Sequence, residues 1–196
     1  MRECGMLLPI ASLPSRYGIG AFSKEAYEFV DTLKAAGQSC WQILPLGPTG
    51  YGDSPYQPFS AFAGNPYFID LDRLVEEGLL TLEECEAVDF GEDPRKVWYD
   101  KIYEGRFPLL RKAYERFKGT LAGGENAGTD AAAEERGAAG NATAVEMVHE
   151  MAARLLGEET REYCFYMAVK NHFGEQSWNL WDEDIRMRRP EAVARW

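Results

Sequence analysis

The sequence predicts an α/β fold. Three observations carry that: an apolar run at Met6 to Ile10, a second at Trp41 to Leu46, and one amphipathic helical stretch between them. Strand, helix and parallel strand within about 40 residues make a βαβ unit. From about Asp72 onward the pattern turns helical and acidic.

The first strand is stopped by Pro9 and a loop rich in Ser and Pro. Ser23 then stands where a helix cap belongs, and Glu25 suits the positive N-terminal end. Ala26, Phe29, Val30, Leu33 and Ala36 line one face, and Gly37 is the expected C-terminal stop. The second strand breaks into Gly47-Pro48-Thr49-Gly50-Tyr51-Gly52-Asp53-Ser54-Pro55-Tyr56-Gln57. Such a run can be neither helix nor ladder, so it predicts a surface loop at a strand end, stiffened by its prolines. Two tyrosines, a serine, an aspartate and a glutamine sit in it. Flat rings beside hydroxyl and carboxylate groups suit a sugar, whose C–H face stacks while its hydroxyls seek partners. By composition alone the same residues also fit a structural turn.

A third apolar run, Tyr67 to Leu71, reads as a strand or an extended segment. Leu74-Val75 and Leu79-Leu80 then flank a Glu-Glu-Gly turn, and Thr81 to Glu84 reads as a capped helix start. Val97 to Phe117 is helical in pattern, with Pro108 expected as the first-turn proline of its second half. Gly119 to Asn141 is rich in Gly and Ala and poor in large apolar residues, and reads as a flexible linker or loop insertion. Helical pattern returns from about Thr143 to His172 with a break at Gly157, and Trp178 and Trp181 are expected to close the ordered part. The last residues, Glu191 to Trp196, have helix-forming composition without a stop signal, so the chain is expected to be truncated.

Composition narrows the partners. Hydrophobic residues at 45% and aromatic residues at 13% suffice for a core, and a net charge of −11 argues against nucleic acid or an anionic membrane. No apolar run approaches the roughly 18 residues of a membrane span, and the start is too short and too Pro-broken for a signal peptide. A cytoplasmic protein is expected. Cys4, Cys40, Cys85 and Cys164 lack CxxC spacing and read as free thiols, Cys40 and Cys164 in apolar surroundings that suit buried structural cysteines. A zinc site would need closely spaced pairs, so no metal is expected. His149 and His172 are isolated on helical stretches and read as surface or capping residues. Gly18-Ile19-Gly20 lacks the third glycine of a phosphate-binding motif.

Trp41 through Gln57, continued by Phe59 to Leu71, resembles the N-terminal region of the amylomaltases, the 4-α-glucanotransferases or disproportionating enzymes. The upstream block Gly5 to Gly20 is similar to the family's opening, and the spacing of the two blocks fits. The likeness is dense from Gly5 to about Leu80 and resumes at Tyr163 to Ala168 and Ser177 to Arg189. It implies the N-terminal portion of a (β/α)8 TIM barrel with a helical insertion. The barrel is incomplete here, because a full one takes about 250 residues. Residues 1–71 are expected to start the catalytic barrel and 72–196 to form the insertion, with the flexible segment at about 119–141.

The resemblance implies transfer of α-1,4-glucan segments between malto-oligosaccharides by a retaining double displacement, with no cofactor. Retention takes two carboxyl groups about 5–5.5 Å apart. In the family these lie on later strands, so no catalytic residue is expected before Trp196, and Asp53, in a turn without a partner carboxylate, is not taken as the nucleophile. By motif position Tyr56 matches a tyrosine that stacks on the sugar beside the cleavage point, and Ser54 and Asp53 shape the same subsite. Tyr51 matches one tyrosine of an outlying glucan site found in some members, with Tyr103 as candidate for its second. Gln57, Asn65 and Tyr67 fit as supporting residues. Some members carry a histidine where this chain has Leu8-Pro9-Ile10. The alternative reading is a non-catalytic glucan-binding module or inactive remnant, and a hydrolase of the wider α-amylase clan comes third.

Overall fold

The computed structural model describes residues 3–50, 52–93, 95–122, 150–152 and 154–196. β1 (Gly5–Leu7) pairs in parallel with β2 (Cys40–Gln42), Gly5 opposite Cys40 and Leu7 opposite Gln42. α1 (Lys24–Ala35) makes the crossover between them, so the predicted βαβ unit is present. Both strands are shorter than the apolar runs suggest. Ile10 begins a 3-10 turn, Ile10–Ser12, and residues 43–46 carry no strand. Pro9 and Pro45 remove ladder donors where the two segments turn outward.

Ser23 is the N-cap of α1, but its hydroxyl donates to Glu25 Oε2 and caps no backbone N–H. The nearby carboxylate is the stronger, charge-assisted acceptor. Ala26 and Leu33 are buried, and Phe29 packs edge-on to Trp41 at 4.9 Å. Val30 and Ala36, expected on the same face, are exposed: a two-stranded sheet covers only a narrow stripe of the helix. Gly37 ends α1 with φ +72, and the N–H groups of Gly37 and Gln38 return to the carbonyls of Lys34 and Leu33. That is the glycine-terminated helix end the sequence predicted.

The third apolar run is not a strand. Asn65 accepts from the Tyr67 N–H and opens a 3-10 turn, Pro66–Phe68, after which α2 (Leu71–Glu76) starts with Asp70 as its cap. A capping residue followed by proline at the first helical position favours a helical turn over a ladder. α3 (Leu82–Glu86) carries the full reciprocal capping box between Thr81 and Glu84. α4 (Tyr99–Ala122) runs without interruption through Pro108, so Pro108 does not start a second helix. Buried Arg106, Leu109 and Ala113 on either side of the proline hold the helix against the core. α5 (Glu158–His172) follows Gly157, whose φ of +82 makes the predicted break. The short helices α6 (Glu183–Arg186) and α7 (Pro190–Val193) continue past Trp181, beyond the expected end of order. Of the predicted linker, residues 119–122 belong to α4, and the rest, like His149, lies outside the described residues.

The largest core joins Tyr17 and Ile19 of the first loop to Tyr67, Leu71, Cys85, Ile102 and Leu109, so it draws on both sides of the Leu71–Asp72 junction. Smaller clusters form under α1, around Ile10, Leu13 and Ala26, and near the C-terminus, around Val169, Trp181 and Ile185. Cys85 is the buried thiol, whereas Cys40 and Cys164 are exposed. Cys40 opens a strand at an uncovered sheet and Cys164 faces a groove, so apolar sequence neighbours did not place either inside. Among the described residues no barrel is formed, no helix is long and apolar enough to cross a membrane, and no group of three His, Cys, Asp or Glu is placed to hold a metal ion.

Candidate functional site

The loop that follows β2 is fastened at its base and at its tip. The Asn65 N–H donates to the Leu46 carbonyl at 2.8 Å and the Phe59 N–H to the Pro48 carbonyl at 3.2 Å, with an isolated antiparallel bridge between Thr49 and Pro58. Near the tip, Asp53 N–H donates to Gly50 O and Gln57 N–H to Ser54 O, closing two tight turns. Ser54 Oγ accepts from the Tyr56 N–H at 3.3 Å, a hydroxyl acting on the turn two residues on. Gly52 (φ +85) and Asp53 (φ +51) both take left-handed backbone. Aspartate tolerates that conformation better than most residues.

This loop and the one after β1 meet over a cavity of about 420 Å³. Pro9 and Ile10 form one wall, Leu44, Leu46 and Thr49 the other, and Asp53 and Tyr99 also line it. It lies beyond the carboxyl ends of both parallel strands, where open and closed α/β sheets bind ligands. Burial pushes the Asp53 carboxyl above its ordinary range, and the Thr49 hydroxyl pulls it the other way. Asp53 in turn helps raise Tyr99, and raises Tyr67, which burial pushes up to about 12. Both phenols therefore stay protonated at neutral pH and can donate.

Tyr56 lies on the outside of the same loop, 70% exposed, with its ring free for a flat partner. Tyr103 is elsewhere. It stands on α4, half exposed, and lines a groove of about 950 Å³ between α4 and α5 with Phe107, Tyr163 and Met167. Its ring meets Phe107 edge-on at 5.2 Å, and Phe107 meets Tyr67 at 5.9 Å. An aromatic line thus runs from the loop's base to the groove. The structure brings Asp53, Ser54 and Tyr56 together on one loop and keeps Tyr103 apart; Tyr51 lies outside the described residues. A residue the sequence did not single out is Lys170. The Lys170 ammonium on α5 sits 5.1 Å from the Phe59 ring centre and 2.6 Å from Glu175, joining α5 to the loop. No local pattern announces that contact, since it joins residues more than a hundred positions apart.

A profile of the 4-alpha-glucanotransferase family matches residues 8–196. The chain is 46% identical over 193 residues to a 4-alpha-glucanotransferase of Streptococcus pneumoniae, covering 98% of this chain and 34% of that protein. With a 4-alpha-glucanotransferase of Thermus thermophilus the identity is 41% over 192 residues, 98% of this chain and 33% of the relative. The solved structure of an amylomaltase from Streptococcus agalactiae in complex with acarbose superposes with a TM-score of 0.78 at 38% identity, over 99% of this chain and 35% of that one. The chain therefore spans about a third of the length of the relatives it matches. On these grounds the chain belongs to the 4-alpha-glucanotransferase family.

Proposed function

We propose that this chain supplies the substrate loop of a 4-α-glucanotransferase, which moves α-1,4-glucan segments between malto-oligosaccharides by a retaining double displacement. The observation that carries this is the twice-fastened loop standing over a cavity at the ends of two parallel strands, with Tyr56 displayed on it. The acarbose bound to the related amylomaltase supports a glucan-type ligand. Tyr56 stacks on a sugar ring, and the turns at Ser54 and Asp53 hold it at a fixed height. A stacking platform that does not have to be ordered on binding spends less of the interaction on immobilisation. Asp53 and the protonated phenol of Tyr99, which line the cavity, offer acceptor and donor to sugar hydroxyls. The two catalytic carboxylates belong to the part of the relatives that this chain does not span.

In this reading the βαβ unit is the opening of a (β/α)8 barrel, residues 1–71, and residues 72–196 are a helical insertion beside the cleft. Tyr51 and Tyr103 serve an outlying glucan site, which the aromatic groove between α4 and α5 supports. The protein works in the cytoplasm on maltodextrin or starch-type glucans without a cofactor. The test joins residues 1–196 to the remaining two thirds of the Streptococcus pneumoniae relative and assays maltotriose. The chimera is expected to form glucose and longer oligosaccharides, while the 196-residue chain alone forms none. In the chimera, Tyr56→Ala is expected to lower kcat/KM by about 1–3 kcal/mol of transition-state stabilisation. An inactive but folded chimera, or an unchanged kcat/KM, would remove the loop from the site.

A further inference from the structure

The parallel ladder stops one bond short of where its register leads. Leu7 stands opposite Gln42, and the Leu8 N–H still donates to the Gln42 carbonyl at 3.0 Å. In the parallel pattern the next bond runs from the Leu44 N–H to the Leu8 carbonyl. Among the described residues that bond is not made. The Leu8 carbonyl accepts instead from the indole Nε1–H of Trp41, at 2.8 Å.

An indole carries a single N–H on a large apolar body, and a half-buried one needs an acceptor. Here it takes the carbonyl that would have held the second strand to the first for one more step. Two strands bonded at that point would stand about 4.8 Å apart and leave no space between them. Released from the ladder, residues 43–46 carry no strand. Leu44 and Leu46 become one wall of the cavity of about 420 Å³, whose other wall is Pro9 and Ile10. The indole packs in one apolar cluster with Ile10 of the first wall and Leu46 of the second. Phe29 on α1 meets it at 4.9 Å with an interplanar angle of 67°, so the helix holds the indole plane and with it the direction of the N–H.

A tryptophan that served packing alone would act through its volume, and loss of its N–H would cost stability and nothing else. The diverted carbonyl gives Trp41 a second task. We propose that Trp41 is a positioning residue for the cavity beside Asp53, a role that rests on the glucan reading of that cavity. Its N–H takes the Leu8 carbonyl out of the ladder and its ring spaces the two walls, which sets the width open to a sugar ring. Trp41 is not among the described residues that line the cavity; it acts through Leu8 on the adjoining Pro9 and Ile10. A wall fixed in advance binds a ring at a lower ordering cost. A wall that holds the sugar without touching the reacting bond contributes equally to ground and transition states, so its loss raises KM and leaves kcat in place.

The test uses the chimera of residues 1–196 with the remaining two thirds of the Streptococcus pneumoniae relative, and reads kcat and KM for maltotriose beside Tm. Replacing Trp41 by 3-benzothienylalanine puts a sulfur where the N–H stands and keeps the size of the ring. KM is expected to rise about five- to tenfold, the loss of one hydrogen bond, with kcat within about twofold of the parent. Phe29→Leu keeps the N–H but frees the indole to tilt, and is expected to raise KM by about two- to threefold. Leu33→Ala, at a buried position of the same helix, should lower Tm and leave KM unchanged, which separates positioning from a general loosening of α1. An unchanged KM in the folded benzothienylalanine variant, or a fall in kcat with KM unchanged, would overturn the proposal. So would a Leu33→Ala variant whose KM rises as much as that of Phe29→Leu. A folded parent chimera without activity would defeat the glucan reading before any variant is compared, and the proposal with it.

Discussion

A side chain at position 47 would have no room. A Cβ there would stand 2.8 Å from both Pro58 Cβ and the Ser60 carbonyl oxygen, so the two arms of the loop after β2 approach closely only because Gly47 is glycine. Gly47→Ala is expected to destabilise the chain by about 1–3 kcal/mol, the scale of an overpacked contact, read as a lower urea midpoint at an unchanged m-value. A variant as stable as the parent would show that the arms part freely. At this scale the sequence was legible where chemistry is concentrated in one stretch. Asp53, Ser54 and Tyr56 stand on one surface loop, as the crowding of proline, glycine and tyrosine in one short run predicts. Lys170 and Arg106 were not singled out, because each meets its partners from a distant segment. An arginine in a helical pattern looks like a solvated residue until the fold closes over it. The cysteines misled for the same reason: apolar neighbours in sequence did not predict exposure for Cys40 and Cys164.

Elements were read best where their ends carry signals. The Thr81–Glu84 box, the glycine stop at Gly37, the Glu-Glu-Gly turn at Gly78 and the break at Gly157 all formed where their residues predict. The errors have two sources: in the run 67–71 the cap at Asn65 and the proline after it outweighed the apolar pattern, and at Pro108 tertiary packing overrode local preference. Glu84 does more than close its box. It also accepts from both Nη1 (2.6 Å) and Nη2 (2.7 Å) of Arg116 and from Lys112, tying α3 to α4. Those contacts, Arg116 first, hold its carboxyl down at about 2, against an ordinary 4.5. A depressed carboxylate adds stability that is complete above the ordinary value and is lost as pH falls through the folded one. Glu84→Gln is therefore expected to lower Tm at neutral pH, with the gap to the parent closing between about pH 4.5 and pH 2. A gap that persists at pH 2 would assign the effect to packing rather than charge.

The whole molecule leaves its sheet open. β1 is exposed throughout, with Met6 at 48% and Leu7 at 54%, and Tyr27 on the outer face of α1 is 73% exposed. Unpaired strand edges with apolar side chains template association, and two strands rarely hold alone. The 196-residue chain is expected to self-associate as concentration rises in sedimentation velocity, and Leu7→Lys to reduce that association. A concentration-independent monomer would contradict this. The contact between Lys170 and Phe59 has a further consequence at this scale. Because the Lys170 cation of α5 is held over the Phe59 ring of the loop, the two share an opening equilibrium. Whatever pins the loop must slow amide exchange in α5, and whatever frays α5 must loosen its grip on a ligand. Maltotriose is thus expected to increase hydrogen-exchange protection across residues 158–172, and Lys170→Met to abolish that increase while leaving the unliganded rates of α3 unchanged. Protection confined to the loop itself would cut the link. Protection that reaches α5 would make that helix a thermodynamic partner of the bound sugar rather than a passive neighbour of the loop.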